Sequence, residues 1–289
     1  MADPIVTRTL GVDFIYFDLL FLVIWIYFLV KRKYWIPVLW GFIGFLTYLI
    51  IDYYIWYIVM GSRTYTGPIN PQFFFLWFTF SAGFAQFSYV SIMFEKRNFR
   101  DMKIFTLLFF IGWTIIGLFS QWIPLNDASI ELARNMSAGN QRLIMSVIAA
   151  GNVVLALFFR WIRKLRWEDI LYIFLVGTLV ELNLELSLLV SGIRLEQDTW
   201  SVTLMLVNTI VEFNVGIIPM WFIMQGFLKM QNKHLFPPLS YKDFRHIQSD
   251  FNRITISEQI NQNHSLKDVS IKIYGEKQVL HDIKYLKSV

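Results

Sequence analysis

The chain has 289 residues, of which 56% are hydrophobic, 18% aromatic and only 16% charged. A soluble globular chain carries about 25% charged residues, so a surface wetted on all sides is not expected. Cysteine is absent, which excludes disulfides, thiolate nucleophiles and cysteine-ligated metal or iron–sulfur centres. The formal net charge of +5 is no sign of a nucleic-acid partner, because much of the Lys and Arg excess lies in short connecting segments.

In chain order, apolar runs fall at 11–30, 36–60, 73–94, 103–123, 142–161, 169–191 and 201–228. An α-helix needs about 18 such residues to cross a ~30 Å hydrocarbon core. The sequence therefore predicts an all-α polytopic membrane protein with seven transmembrane helices and the lipid bilayer as its solvent. Residues 1–10 are expected as an external N-terminus, 11–228 as the membrane domain and 229–289 as a polar cytosolic tail. Phe236-Pro237-Pro238-Leu239 stops the last helix, and residues 269–273 alternate as a short strand would.

Orientation follows from charge. Connections after the first, third, fifth and seventh runs carry Lys31, Arg32, Lys33, Lys96, Arg97, Arg100, Lys103, Arg160, Arg163, Lys164, Arg166, Lys229 and Lys233. The opposite side carries Arg8, Arg63, Arg134, Arg142 and Arg194. Basic residues gather on the cytosolic face, which places the N-terminus outside and the C-terminus in the cytosol.

Sliding the sequence on itself by 131 residues lays the first three runs on the last three. Arg32 and Lys33 then fall on Arg163 and Lys164, Thr47 on Thr178, Gly61 on Gly192 and Arg63 on Arg194. The pattern suggests two three-helix repeats joined by a linker helix, an arrangement that several transporters use.

The informative residues are the ionisable and amide groups inside the runs: Asp18, Asp52, Gln86, Asn152, Glu181, Asn183, Glu185, Asn208, Glu212 and Asn214. No Lys or Arg lies deep in any run. A carboxylate at the bilayer centre costs about 2.5–3.5 kcal/mol on insertion scales, so these acids should face the bundle interior. Thr178, Glu181 and Glu185 recur at i, i+3 and i+7, one face of the sixth helix, and Asn208 shares a face with Glu212. Counted inward from the outer boundary, Asp18, Asp52, Glu185 and Glu212 lie within ~8 Å of each other in depth. This predicts an acidic pocket in the outer half of the bundle, with Asp52, Glu181, Glu185 and Glu212 as its working carboxyls. Asp18, Gln86, Asn183, Asn208 and Asn214 are expected to bind substrate around them, with Arg63 and Arg194 at the rim. Carboxylates so clustered cannot all ionise, so one should hold a proton. Taken singly, the asparagines also fit a purely structural role as hydrogen-bonded glue between helices.

Other signatures are missing. All four histidines lie beyond residue 233, the seventh run has no mid-helix lysine for a retinal Schiff base, and no phosphate or dinucleotide fingerprint occurs. No metal and no cofactor is expected.

Two segments resemble the small seven-helix integral-membrane terpene cyclases. Tyr34-Trp-Ile-Pro37 is similar to the opening of their second helix. Val211-Glu212-Phe-Asn-Val-Gly216-Ile217, followed by Trp221-Phe222, is similar to their acid-bearing seventh. The resemblance implies Asp52 and Glu212 as the two acids. It departs from the family in Ile51, where a Trp precedes the acid, and in the additional acids of the sixth run.

Three functional readings follow. The first is an acid–base enzyme on a lipid-soluble, isoprenoid-like substrate, with Tyr53, Tyr54, Trp56 and Phe213 around a developing carbocation. The second is a proton- or cation-coupled transporter or channel using the same acids. The third is a receptor or scaffold whose output is the cytosolic tail.

Overall fold

The computed structural model describes residues 6–95, 99–123, 125–134, 138–162, 165–195 and 202–230. The tail, with its expected strand at 269–273, lies outside the described residues. The fold is mainly helical. Strand β1 (Val6–Gly11) leads into α1 (Asp13–Lys31) and α2 (Trp35–Tyr48), which continues without a break as a π-helix over Leu49–Val59. Strand β2 (Arg63–Thr66), α3 (Pro71–Glu95), α4 (Phe99–Trp122) and β3 (Ser129–Arg134) follow. Then come α5 (Ala138–Trp161), α6 (Trp167–Val190), β4 (Arg194–Leu195), α7 (Val202–Val211), a 3-10 turn at Phe213–Val215 and α8 (Ile217–Met230). Five helices among the described residues, α1, α2 with its π extension, α3, α4 and α6, are long and apolar enough to cross a membrane. The apolar parts of α5 and α8 are shorter.

The all-α expectation is corrected by a four-stranded antiparallel sheet in the order β2-β3-β1-β4. Of the residues expected as an external N-terminus, 6–10 belong to β1, one of the sheet's two inner strands. Two helical rods separate each strand from the next in the chain, so each pair of rods leaves the sheet and returns to it. The sheet thus closes one end of the bundle, here called the sheet end. Its strands have six residues or fewer and are held by non-local pairing, which no local pattern announces. Leu10, Ile130 and Leu132 on its inner face pack with Phe74, Phe75, Leu188 and Ile193 to form a core directly beneath it.

Helix α3 is the central rod, the most buried of the five long helices. It meets α2 where Gly44 and Gly83 face each other. A Cβ on either would run into the other's backbone, so the two helices approach as closely as their main chains allow. At the far end Asp101, in the first turn of α4, accepts hydrogen bonds from Arg32 and Tyr34 and ties the α1–α2 connection down. Burial, and then the Asp101 carboxylate, push the Tyr34 phenol up to about 12, so it stays protonated and donates.

The seventh run, expected as one helix over 201–228, is broken. Pro219 has no N–H for the carbonyl of Val215 and cannot sit in an unbroken helix over it. That carbonyl accepts instead from Asn152 Nδ2 on α5. Asn214 Nδ2 bonds back to the Ile210 carbonyl (2.8 Å) and across to Thr178 Oγ1 on α6 (3.0 Å). Side chains from two other helices thus hold the break open.

Two residues that the 131-residue offset superimposes form similar corners at the sheet end. Gly61 and Gly192 both adopt positive φ (57° and 71°), where a side chain would be strained, and each turns the chain so that the arginine two residues on begins a strand. Elsewhere the halves differ: the second rod ends in a π-helix where α6 is regular, and α3 is continuous where α7 and α8 are interrupted.

Candidate functional site

Six of the expected site residues converge. The π-helical segment turns Asp52 inward, the only residue of that segment that is fully buried. The regular winding of α6 carries Glu181 and Glu185 on one face, and Glu212 follows the last residue of α7, at the break. Carboxylate oxygens of Glu181, Glu185 and Glu212 all lie within 4.8 Å of one another.

The expectation of acids without a compensating base is overturned. Strand alternation turns Arg8, Arg63 and Arg194 to the inner face of the sheet, where all three are buried. Arg63 forms an ion pair with Asp52, and Arg194 one with Glu185. Arg194 Nη2 also lies 3.9 Å from Glu212 Oε1. Arg8 is within electrostatic reach of Glu181 and Tyr48. Arg63 and Arg194, expected at the rim, therefore sit inside. The acids come from the helical rods and the bases from the strands.

This cluster forms one end of a cavity of about 610 Å³. Asp52, Glu181, Glu212, Arg8 and Arg63 line it at the sheet end, and the remainder is largely apolar. Its aromatic wall is Trp40, Tyr48, Trp56, Phe78, Phe87 and Phe213. Of the aromatics expected there, Trp56 and Phe213 are present. Tyr53 packs instead against Tyr57 and Phe75, and Tyr54 is exposed on the outside of the bundle. The cavity opens sideways: Ile51 of the second rod, Ile148 of α5 and Ile223 of α8 line it, yet are exposed at the bundle surface (43%, 44% and 64%).

The other expected residues are placed differently. Asp18 does not join the cluster. It borders a smaller neighbouring cavity of about 50 Å³ and accepts a hydrogen bond from Trp77 Nε1 (2.9 Å). Arg8, Phe78, Ala82 and Leu184 form the partition between the two cavities, since they line both. The direction in which α1 turns Asp18 was not legible in the sequence. Gln86 stands behind the wall and accepts a hydrogen bond from Tyr48 Oη. Asn183 is fully buried away from the cavity, with neither amide atom hydrogen-bonded among the described residues. Asn214 braces the helix break rather than facing the cavity, and the side chain of Asn208 lies outside the described residues.

Arg8 is the functional residue that sequence reasoning missed. The signal for it was the alternation Thr7-Arg8-Thr9-Leu10, which places the arginine on the same strand face as a buried leucine. Chemically, the site sets a group of carboxyls among fixed guanidiniums against a dry aromatic chamber, an arrangement suited to moving a proton in a place that excludes water. No family model, no curated protein and no solved structure matches this chain.

Proposed function

We propose that the chain is an integral membrane protein of seven transmembrane segments, N-terminus outside and C-terminus cytosolic. In this reading it acts on a lipid-soluble, isoprenoid-like substrate by acid–base chemistry. The observation that carries the proposal is the lateral cavity. Its volume lies in the range of ligand pockets, about 300–1,000 Å³, and its exposed lining residues Ile51, Ile148 and Ile223 lie on helices that this reading sets in lipid. A substrate dissolved in the bilayer enters between α2, α5 and α8 without passing through water.

The roles follow from the pairing. Glu181 and Glu212 adjoin each other and both line the chamber, so they share the proton that is delivered to an alkene or epoxide. The proton adds to the substrate, the positive charge that develops is held against the faces of Trp56 and Phe213, and the carboxylate left behind takes a proton back. Asp52 and Glu185, each bound to an arginine, fix the charge pattern around them. The resemblance to membrane terpene cyclases agrees in assigning Glu212 to the reaction and differs in making Asp52 a direct participant.

The test is mass spectrometry of lipids that accompany the gently purified protein, compared with Glu212→Gln. A lipid that binds wild type and is lost or chemically different in the variant is expected. Identical lipid profiles with no bound species would remove the reading.

The break between α7 and α8 favours one second reading. Interrupted helices at a charged site are a device of transporters, in which half-helix ends coordinate an ion. In this reading Glu181 and Glu212 bind a proton or cation, and flux into liposomes that fails in Glu212→Gln would replace the enzyme by a coupled transporter.

A further inference from the structure

The cavity is graded along its length. At the sheet end its wall carries Arg8, Asp52, Ser62, Arg63, Glu181 and Glu212. Toward the far end it carries Trp40, Ile43, Phe87, Met220 and Ile223, with no charged side chain among them. Trp40 and Trp56, both in the wall, are sixteen residues apart on one rod, or roughly 20 Å along its axis, the π-helical half rising less per residue than the α-helical half. The chamber is therefore long, narrow and polar at one end only. Its polar end is close to neutral. Arg63 and Arg194 are taken up by Asp52 and Glu185, and Arg8 faces the Glu181–Glu212 pair, which shares one proton in the proposed function.

From this gradient we infer that the occupant is a single-chain lipid with an uncharged polar head, lying along α2 with its head under the sheet and its tail toward Trp40. The inference rests on the lipid-substrate reading and adds to it the head-group class, the chain shape and the orientation of the occupant. A hydroxyl, epoxide or carbonyl oxygen finds donors and acceptors at the sheet end. A phosphate meets carboxylates there, and like charges brought together cost several kcal/mol. A volume of about 610 Å³ drawn out along that length suits one chain rather than two. Reactions on this occupant take place at its head end, beside Glu181 and Glu212, and the tail serves as a measuring rod.

The experiment uses the full chain in lipid nanodiscs with tritiated hexadecanol, competed by hexadecyl phosphate and hexadecylamine. Hexadecanol should bind about a hundredfold more tightly than either charged analogue. A photoreactive group beside the hydroxyl should label peptides around Ser62 and Glu212, and one on the terminal carbon should label peptides around Trp40 and Ile43. Filling the tail end with Ile43→Trp, or with Ile223→Trp should the first variant not fold, should leave dodecanol bound. The same change should weaken eicosanol about tenfold or more, since the part of its tail that no longer fits loses its packing contacts with the wall. Tighter binding of the phosphate or the amine, reversed labelling, or equal weakening of short and long alcohols overturns this inference and leaves a lipid-binding protein. Failure of all three probes to bind overturns the lipid-substrate reading together with it.

Discussion

The pairing of Arg194 with Glu185 makes a sharp demand on stability. Both side chains are almost wholly withdrawn from solvent, at 3% and 2% exposure, and Glu212 stands 3.9 Å from the same guanidinium. Arg194→Met keeps most of the side-chain volume and strands Glu185 as a buried acid without its base. Breaking such a pair by removing one partner costs about 3–5 kcal/mol. At about 2–4 °C per kcal/mol for a chain of this size, the melting temperature should fall by roughly 6–20 °C. Arg194→Met with Glu185→Met should recover most of that loss, because an apolar pair of similar volume replaces a buried ion pair at little cost. Arg32→Met is the control. Its side chain is 31% exposed in the pair with Asp101, so its removal should cost only about 1 kcal/mol. The assay is thermal unfolding of purified protein in one detergent, followed by intrinsic fluorescence. An Arg194→Met protein that melts with wild type, or a double variant no more stable than the single, would refute the claim that strand arginines neutralise helix acids.

Asn152→Ala should destabilise by about 1–3 kcal/mol by orphaning the Val215 carbonyl, and adding Pro219→Ala should restore stability, since alanine supplies the missing N–H; a double-mutant cycle of melting temperatures reads the coupling. Gly83→Leu should cost at least about 1–3 kcal/mol by forcing α2 and α3 apart, whereas Gly226→Leu, which has open space around it, should be nearly neutral in the same melt. Because the chain has no cysteine, Thr9→Cys with Glu131→Cys should form a disulfide on mild oxidation, and a band shift on non-reducing gels checks the β1–β3 register. For the proposed orientation, Thr64→Cys should react with an impermeant maleimide in intact cells and Lys33→Cys only after permeabilisation.

The apolar runs and the spacing of acids on α6 were legible because both are local. A long run of apolar residues has few other stable fates, and i, i+3, i+7 spacing places Thr178, Glu181 and Glu185 on one face in any regular helix. The same locality explains the corner glycines: Gly61 and Gly192, each two residues before an arginine, stood out as a pair before any coordinates, and both take up positive φ. Legibility ended where a residue's role depends on a partner far away in the chain. The break at α7 depends on Asn152, more than sixty positions earlier, although Pro219 hinted at it. The isolation of Asp18 depends on how α1 is rotated about its own axis, which a run that is apolar on every side does not record.

What the sequence by itself determined is the helical character of the chain and the face of α6 that carries two of its buried acids. Only the tertiary structure decided what those acids meet. Four strands of six residues or fewer, one ahead of the first helix and three from separate connections, assemble into one sheet because each satisfies backbone groups of its neighbours. That assembly, and no property of any single strand, turns Arg8, Arg63 and Arg194 onto the carboxyls beneath them.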